Sequence, residues 1–295
     1  MADRYFDPEG LARITNMELV ARQVVEGFLS GRHRSPYHGF SVEYLDHRPY
    51  TPGDQLRELD WKILARTDKY FVKLFEDETN LRAHILLDCS RSMGFKSGQL
   101  SKLEYGCYLA AALSHLMIRQ NDAVGLVLFD QTIRSFLPPR ARPTQFRRVL
   151  DELEHVAPGG ETDVGVILHE VADRIRRRGL VILISDLIDD ESKIANGLQH
   201  FRHNNHEVIV FHILDNAEMT FPFDRLTRFK DMEGAGEVVA NPNVLRSRYL
   251  ARLEMFTERL KADCFERQIS YALVNTRQPY DMLLAEYLEK RSRLG

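Results

Sequence analysis

Cysteine is scarce. Cys89, Cys107 and Cys264 are the only three in 295 residues and lie far apart, which argues against a disulfide framework and for a reducing compartment. Long apolar runs are also missing. Stretches such as Leu180 to Ile184 fall far short of the ~20 residues that a membrane-spanning helix needs. The start, Met1-Ala2-Asp3-Arg4-Tyr5, has no apolar core, so no secretory signal is expected. Neither sign of charge dominates: 40 basic residues against 43 acidic ones leave a net charge of -3, with no global drive toward nucleic acid or an anionic membrane. There is no repeat and no low-complexity tract. Nor is there a Gly-x-Ser-x-Gly elbow or a Gly-x-x-x-x-Gly-Lys-Ser/Thr phosphate loop. These absences leave a globular protein expected in the cytoplasm, long enough for one large domain or two modest ones.

What is present is strand-helix alternation. From about residue 81 onward, apolar runs at Ala83–Leu87, Ala123–Phe129, Leu180–Ser185, Glu207–Leu214 and Ser270–Asn275 read as strands, four of them apolar enough to be buried on both faces. Helical patterns at Lys102–Gln120, Thr144–His155, Val164–Arg178, Glu191–Asn204, Leu245–Arg267 and Asp281–Arg291 separate them, and Thr132–Leu137 reads as a hairpin partner of Ala123–Phe129. Residues 215–243 read as irregular, with a hairpin across Gly234-Ala235-Gly236. The order predicts a mostly parallel α/β sheet with helices on both faces over residues 81–295. Residues 1–80 carry a helical stripe from Asp7 to Ser30 and strand-like patterns near 40–45 and 70–75, which predicts a small N-terminal α+β lobe.

The first strand of the α/β region ends in Asp88-Cys89-Ser90-Arg91-Ser92. One carboxylate and two hydroxyls beyond the carboxyl end of a strand lie where open α/β sheets bind ligands. Hard oxygen donors suit magnesium, manganese or calcium rather than zinc. Thr162, in a glycine-rich loop before a helix, and Asp186, at the end of Leu180–Ser185, converge on the same place if their strands flank the first one. The plainer readings are local. Ser90 and Ser92 could cap the helix that follows, and Asp186 could cap the helix after its strand. Cys89 reads as a packed residue, and Asp122, Asp130 and Asp163 as turn and cap residues. His200, His203 and His206 read as an exposed helix end rather than a metal cluster.

The set Asp88, Ser90, Ser92, Thr162 and Asp186 is similar to the metal-ion-dependent adhesion site (MIDAS) of von Willebrand factor A domains. The resemblance covers roughly residues 80–295 and implies a von Willebrand factor A-like (Rossmann-like) fold that binds a divalent cation. The first 80 residues extend it. Gly39-Phe40-Ser41-Val42-Glu43-Tyr44, Arg48-Pro49-Tyr50-Thr51-Pro52-Gly53-Asp54, Arg57-Glu58-Leu59-Asp60-Trp61 and Ala65-Arg66 resemble the signature of the bacterial domain-of-unknown-function-58 family, which carries such a domain. That resemblance implies work beside a MoxR-type AAA+ ATPase. The charges around Trp61 read as a structural salt-bridge and hydrogen-bond network that fixes the lobe on the A-like domain.

One bound carboxylate leaves a dication net positive and able to accept an acidic side chain from another protein. The expectation is therefore a non-enzymatic adaptor that uses Mg2+, or Mn2+ or Ca2+, to bind an acidic residue of a partner and works with a MoxR-type AAA+ ATPase on an unidentified client in protein maturation or remodelling. A magnesium-dependent hydrolase of phosphate esters or nucleic acid is the alternative. It lacks the second Asp that haloacid-dehalogenase-type phosphatases place two residues after the first: position 90 is a serine. The arginine clusters at 140–148 and 174–178 read as solvated helix surface, with no aromatic interleaving to stack bases.

Overall fold

The computed structural model describes residues 8, 16–32, 47–49, 70–73, 81–160, 163–230 and 236–292. The chain divides into two compact units, one of Met1–Gly31 with Asn80–Gly295 and one of Arg32–Thr79. Helix α1 (Met17–Arg32), expected in an N-terminal lobe, lies almost wholly in the larger unit: its apolar stripe of Val20, Ala21, Val24, Val25 and Phe28 is buried in that unit's core. In the second unit, strands β1 (His47–Pro49) and β2 (Phe71–Lys73) pair antiparallel, with His47 opposite Lys73. The expected strand at 40–45 and the charged residues Asp54, Arg57, Asp60 and Arg66 around Trp61 lie outside the described residues.

The larger unit is built on β3 (Arg82–Asp88). Then follow α2 (Lys102–Arg119), β4 (Ala123–Phe129), β5 (Ile133–Arg140), α3 (Pro143–His155), α4 (Val164–Arg174), β6 (Leu180–Ser185), α5 (Glu191–His203) and β7 (Glu207–Leu214). The chain continues through α6 (Asn216–Thr220), β8 (Thr227–Lys230), β9 (Glu237–Ala240), α7 (Pro242–Glu266), β10 (Ser270–Asn275) and α8 (Tyr280–Ser292). Six strands form one sheet in the order β10-β7-β6-β3-β4-β5, all parallel except β5, which returns antiparallel on β4 at the edge. This is the mostly parallel α/β sheet with helices on both faces that the sequence predicts.

Period-two alternation splits the core. On β3, Ala83, Ile85 and Leu87 face one apolar cluster, which also takes residues of α1, α2, α3 and α8, while Leu86 faces a second cluster with residues of α4, α5 and α7. Both faces of the central strands are covered, which explains their unbroken apolar sequences.

Three local results differ from the expectation. Helix α4 stops at Arg174 rather than Arg178, because Ile175 turns to extended backbone and buries its side chain. His206 is no exposed helix end: it is fully buried, with Nε2 3.1 Å from the Ile175 carbonyl. The irregular segment contains the short helix α6. Strands β8 and β9 do pair antiparallel, and residues 231–235 between them lie outside the described residues.

Candidate functional site

The strand order places the site. From β3 the chain moves outward to β4 and β5, then crosses back to β6 on the other side of β3 and continues to β7 and β10. The carboxyl ends of β3 and β6 therefore flank the point where the winding direction changes, which is where open α/β sheets bind ligands. Leu87 lies opposite Ile184, so Asp88 and Ser185 are neighbours at the ends of their strands, and Asp186 follows at once.

The loop after β3 is held by its own backbone. The Cys89 amide donates to the Phe129 carbonyl at 2.7 Å, and the Ser90 amide donates to Asp88 Oδ1 at 2.8 Å. The glycines at 159 and 160 dock on it: the Gly159 amide donates to the Cys89 carbonyl at 2.9 Å, and Gly160 accepts from the Arg91 amide at 3.1 Å. Ser90 and Ser92 share a hydrogen bond of 3.0 Å between their hydroxyls, and Asp88, Ser90 and Ser92 are all buried. A short 3-10 turn, Ser92–Gly94, then leads the chain away.

The plainer capping readings fail. Helix α2 is capped by Ser101, whose hydroxyl accepts from the Glu104 amide at 3.1 Å while the Glu104 carboxylate accepts from the Ser101 amide at 2.7 Å. Helix α5 is capped by Asp190, which accepts from the amides of Ser192 and Lys193. Ser90, Ser92 and Asp186 are thus free of capping duty. Asp163 does cap α4 and also pairs with Lys193 at 3.1 Å, and Asp130 binds Thr132 and Arg134, in line with a turn and cap role. Cys89 is buried and burial pushes its thiol up to about 12, so it packs and is no nucleophile.

Three residues of the site carry no obvious signal in the sequence. Ser185 donates to Asp88 Oδ2 at 2.6 Å and accepts from the Leu187 amide at 2.9 Å. Lys102, fully buried in the first turn of α2, donates to Asp186 Oδ2 and to Glu218 Oε1, each at 2.8 Å. A cation in the first turn of a helix opposes the helix dipole, so Lys102 is out of place by local rules. Burial works to lower its pKa, but the charges of Asp186 and Glu218 outweigh burial and raise it.

Asp88 has the opposite problem. Burial, and then the negative charge of Asp186, push its carboxyl up to about 7, against hydrogen bonds from Ser185 and Ser90 that favour the charged form. Asp186 already has Lys102 as its counter-charge, so Asp88 is the acid that a bound cation would relieve. The donor set of a carboxylate and two adjacent hydroxyls fits a hard dication such as magnesium. Among the described residues no three His, Cys, Asp or Glu side chains come together as a metal cluster, so the fit depends on the serines. The structure brings Asp88, Ser90, Ser92 and Asp186 to one sheet edge, while Thr162 lies outside the described residues.

The family model described as "Protein of unknown function DUF58" matches residues 46–257. The chain belongs to this DUF58 family. Similar proteins include the uncharacterized proteins Rv1480 of Mycobacterium tuberculosis and Mb1516 of Mycobacterium bovis, each 26% identical over 221 residues, covering 73% of this chain and 68% of the relative. Among solved structures, the conserved hypothetical protein BatB of Bacteroides thetaiotaomicron aligns with a TM-score of 0.49 at 17% identity, over 72% of this chain and 99% of BatB. The VWA domain of SpRpn10 aligns with a TM-score of 0.38 at 13% identity, over 70% of this chain and 95% of that domain. No helix among the described residues of this DUF58 chain is long and apolar enough to cross a membrane.

Proposed function

We propose that this DUF58 protein is a non-enzymatic recognition module that holds a divalent cation, magnesium first, on Asp88, Ser90 and Ser92, with Thr162 and Asp186 completing the donor set. An Asp or Glu of a partner protein takes the remaining position. The observation that carries this reading is the Ser90–Ser92 hydroxyl pair beside buried Asp88, at the sheet's switch point and released from helix capping. The cation supplies positive charge, and the chain's own residues fix where it is offered. Asp88 is oriented through both oxygens by Ser90 and Ser185. Ser185 and Lys102 each hold one of the two acids in place. By family resemblance the partner works with a MoxR-type AAA+ ATPase to mature or remodel a client.

The test is a pull-down of a MoxR-type ATPase and its client with wild type and Asp88→Ala, in Mg2+ and in EDTA. Capture by wild type in Mg2+ that is lost in EDTA and in the variant is expected. Equal capture under all four conditions overturns the metal-mediated reading.

A further inference from the structure

We propose that Lys102 is a positioning residue that sets the charge of the cation site: it grips Asp186 through Oδ2 and divides its own charge between Asp186 and Glu218. The inference rests on the metal reading above and extends it to residues outside the donor set. Lys102 has no solvent exposure, and Asp186 is almost as deeply buried, while Glu218 keeps 18% of its side chain exposed. The ammonium thus sits between an inner acid at the site and an outer acid near the surface. Ser101 and Glu104 fix the start of α2, and Asp215 and Glu218 fix the start of α6 by the same reciprocal pairing, so both ends of the lysine's reach are anchored. The Glu218 carboxylate accepts from the Asp215 amide at 2.7 Å through the oxygen that Lys102 does not use.

The charge count gives the consequence. Asp186, Lys102 and Glu218 together carry one negative charge, part of it drawn away from the site toward Glu218. With Lys102 on Asp186 Oδ2, Asp186 offers a cation less than a full carboxylate. A dication there keeps more of its positive charge for an acidic ligand of the partner.

This predicts opposite shifts for two variants. Glu218→Gln leaves the whole lysine charge on Asp186 and is expected to weaken cation binding several-fold. The double variant K102M/E218Q has the same total charge as wild type but concentrates it on Asp186, and is expected to bind about tenfold tighter. Mn2+ and Mg2+ titrated by calorimetry against the full chain, with folding checked by circular dichroism, give the readout. If K102M/E218Q does not fold, K102Q/E218Q, which keeps a hydrogen-bond donor, replaces it. A merely structural ion pair moves both variants in one direction or neither, and that result overturns the inference alone. Failure of wild type and variants alike to bind either cation overturns the metal reading with it.

Discussion

Ser185 donates its hydroxyl hydrogen to Asp88 at 2.6 Å, joining the last residue of β6 to the last residue of β3. The same hydroxyl accepts from the amide of Leu187, whose φ of 52° is left-handed and unusual for a leucine. One side chain therefore orients the acid of the site and pins the turn that carries Asp186. Ser185→Ala leaves a buried carboxylate oxygen and a backbone amide without this partner, at a cost of about 1–3 kcal/mol. Urea denaturation should show a lower midpoint at unchanged slope; an unchanged midpoint would mean that water replaces the hydroxyl on both groups.

Close helix packing sets a second expectation. A Cβ on Gly165 would stand 2.5 Å from Lys193 Cβ and 2.9 Å from the Lys193 carbonyl carbon, so α4 and α5 touch through this glycine. Alanine in place of a helical glycine gains at most about 1 kcal/mol by propensity. The overpacking it causes costs about 1–3 kcal/mol. The clash involves backbone, so Gly165→Ala is expected to destabilise. The Gly165 amide also donates to Asp189 at 3.3 Å, so hydrogen exchange in the turn after β6 should quicken as well. Faster exchange there without a loss of stability would place the effect in the turn alone.

The central strands are legible because they are buried on both faces and read as unbroken apolar runs: Ala123–Phe129 and Leu180–Ser185 are bounded to the residue. That Asp88, Ser90 and Ser92 share one loop is legible because their spacing is local. Ser185 was not, since a serine closing a strand means nothing until the register sets it beside Asp88. Lys102 and Glu218 were not, since they meet across 116 positions of sequence. His206 was misread because polarity and a nearby Asn204-Asn205 break look like an exposed helix end, whereas the carbonyl of Ile175 receives the ring inside the core.

His84 makes stability depend on pH. It lies buried on β3, and its Nδ1 has no hydrogen-bond partner among the described residues. Burial, with the positive charges of His206 and Arg82, lowers its pKa from 6.5 to about 4. The folded state therefore disfavours the proton that the unfolded chain accepts below its ordinary pKa. Stability contributed by neutral His84 is present above 6.5 and is lost as pH falls from there toward 4. From about pH 7 to about pH 5 this one group accounts for a loss of about 2 kcal/mol. Denaturant titrations at both pH values should show that difference shrinking by about as much in His84→Leu. An identical pH slope in the two proteins would assign acid sensitivity to other groups, His212 first, whose pKa burial also lowers to about 4.

The site itself sets one acid against another, and that gives a test with a change of order. Without a cation, Asp88 is a buried acid facing the charge of Asp186. Asp88→Asn removes the conflict at constant shape, and the Ser185 hydroxyl can turn to accept from the new amide. In EDTA the variant should be at least as stable as wild type, the reverse of what loss of an ordinary buried hydrogen bond produces. Added Mg2+ should then stabilise wild type, by about 2.7 kcal/mol at a hundred times its dissociation constant, and leave the variant where it was. Wild type thus overtakes the variant as Mg2+ rises. Matching the ionic strength with NaCl removes screening as a cause. Melting curves of the two proteins in EDTA, NaCl and MgCl2 decide it: parallel responses to Mg2+ would move the cation away from Asp88, and an Asp88→Asn protein weaker in EDTA would make the carboxylate a structural anchor instead of a ligand.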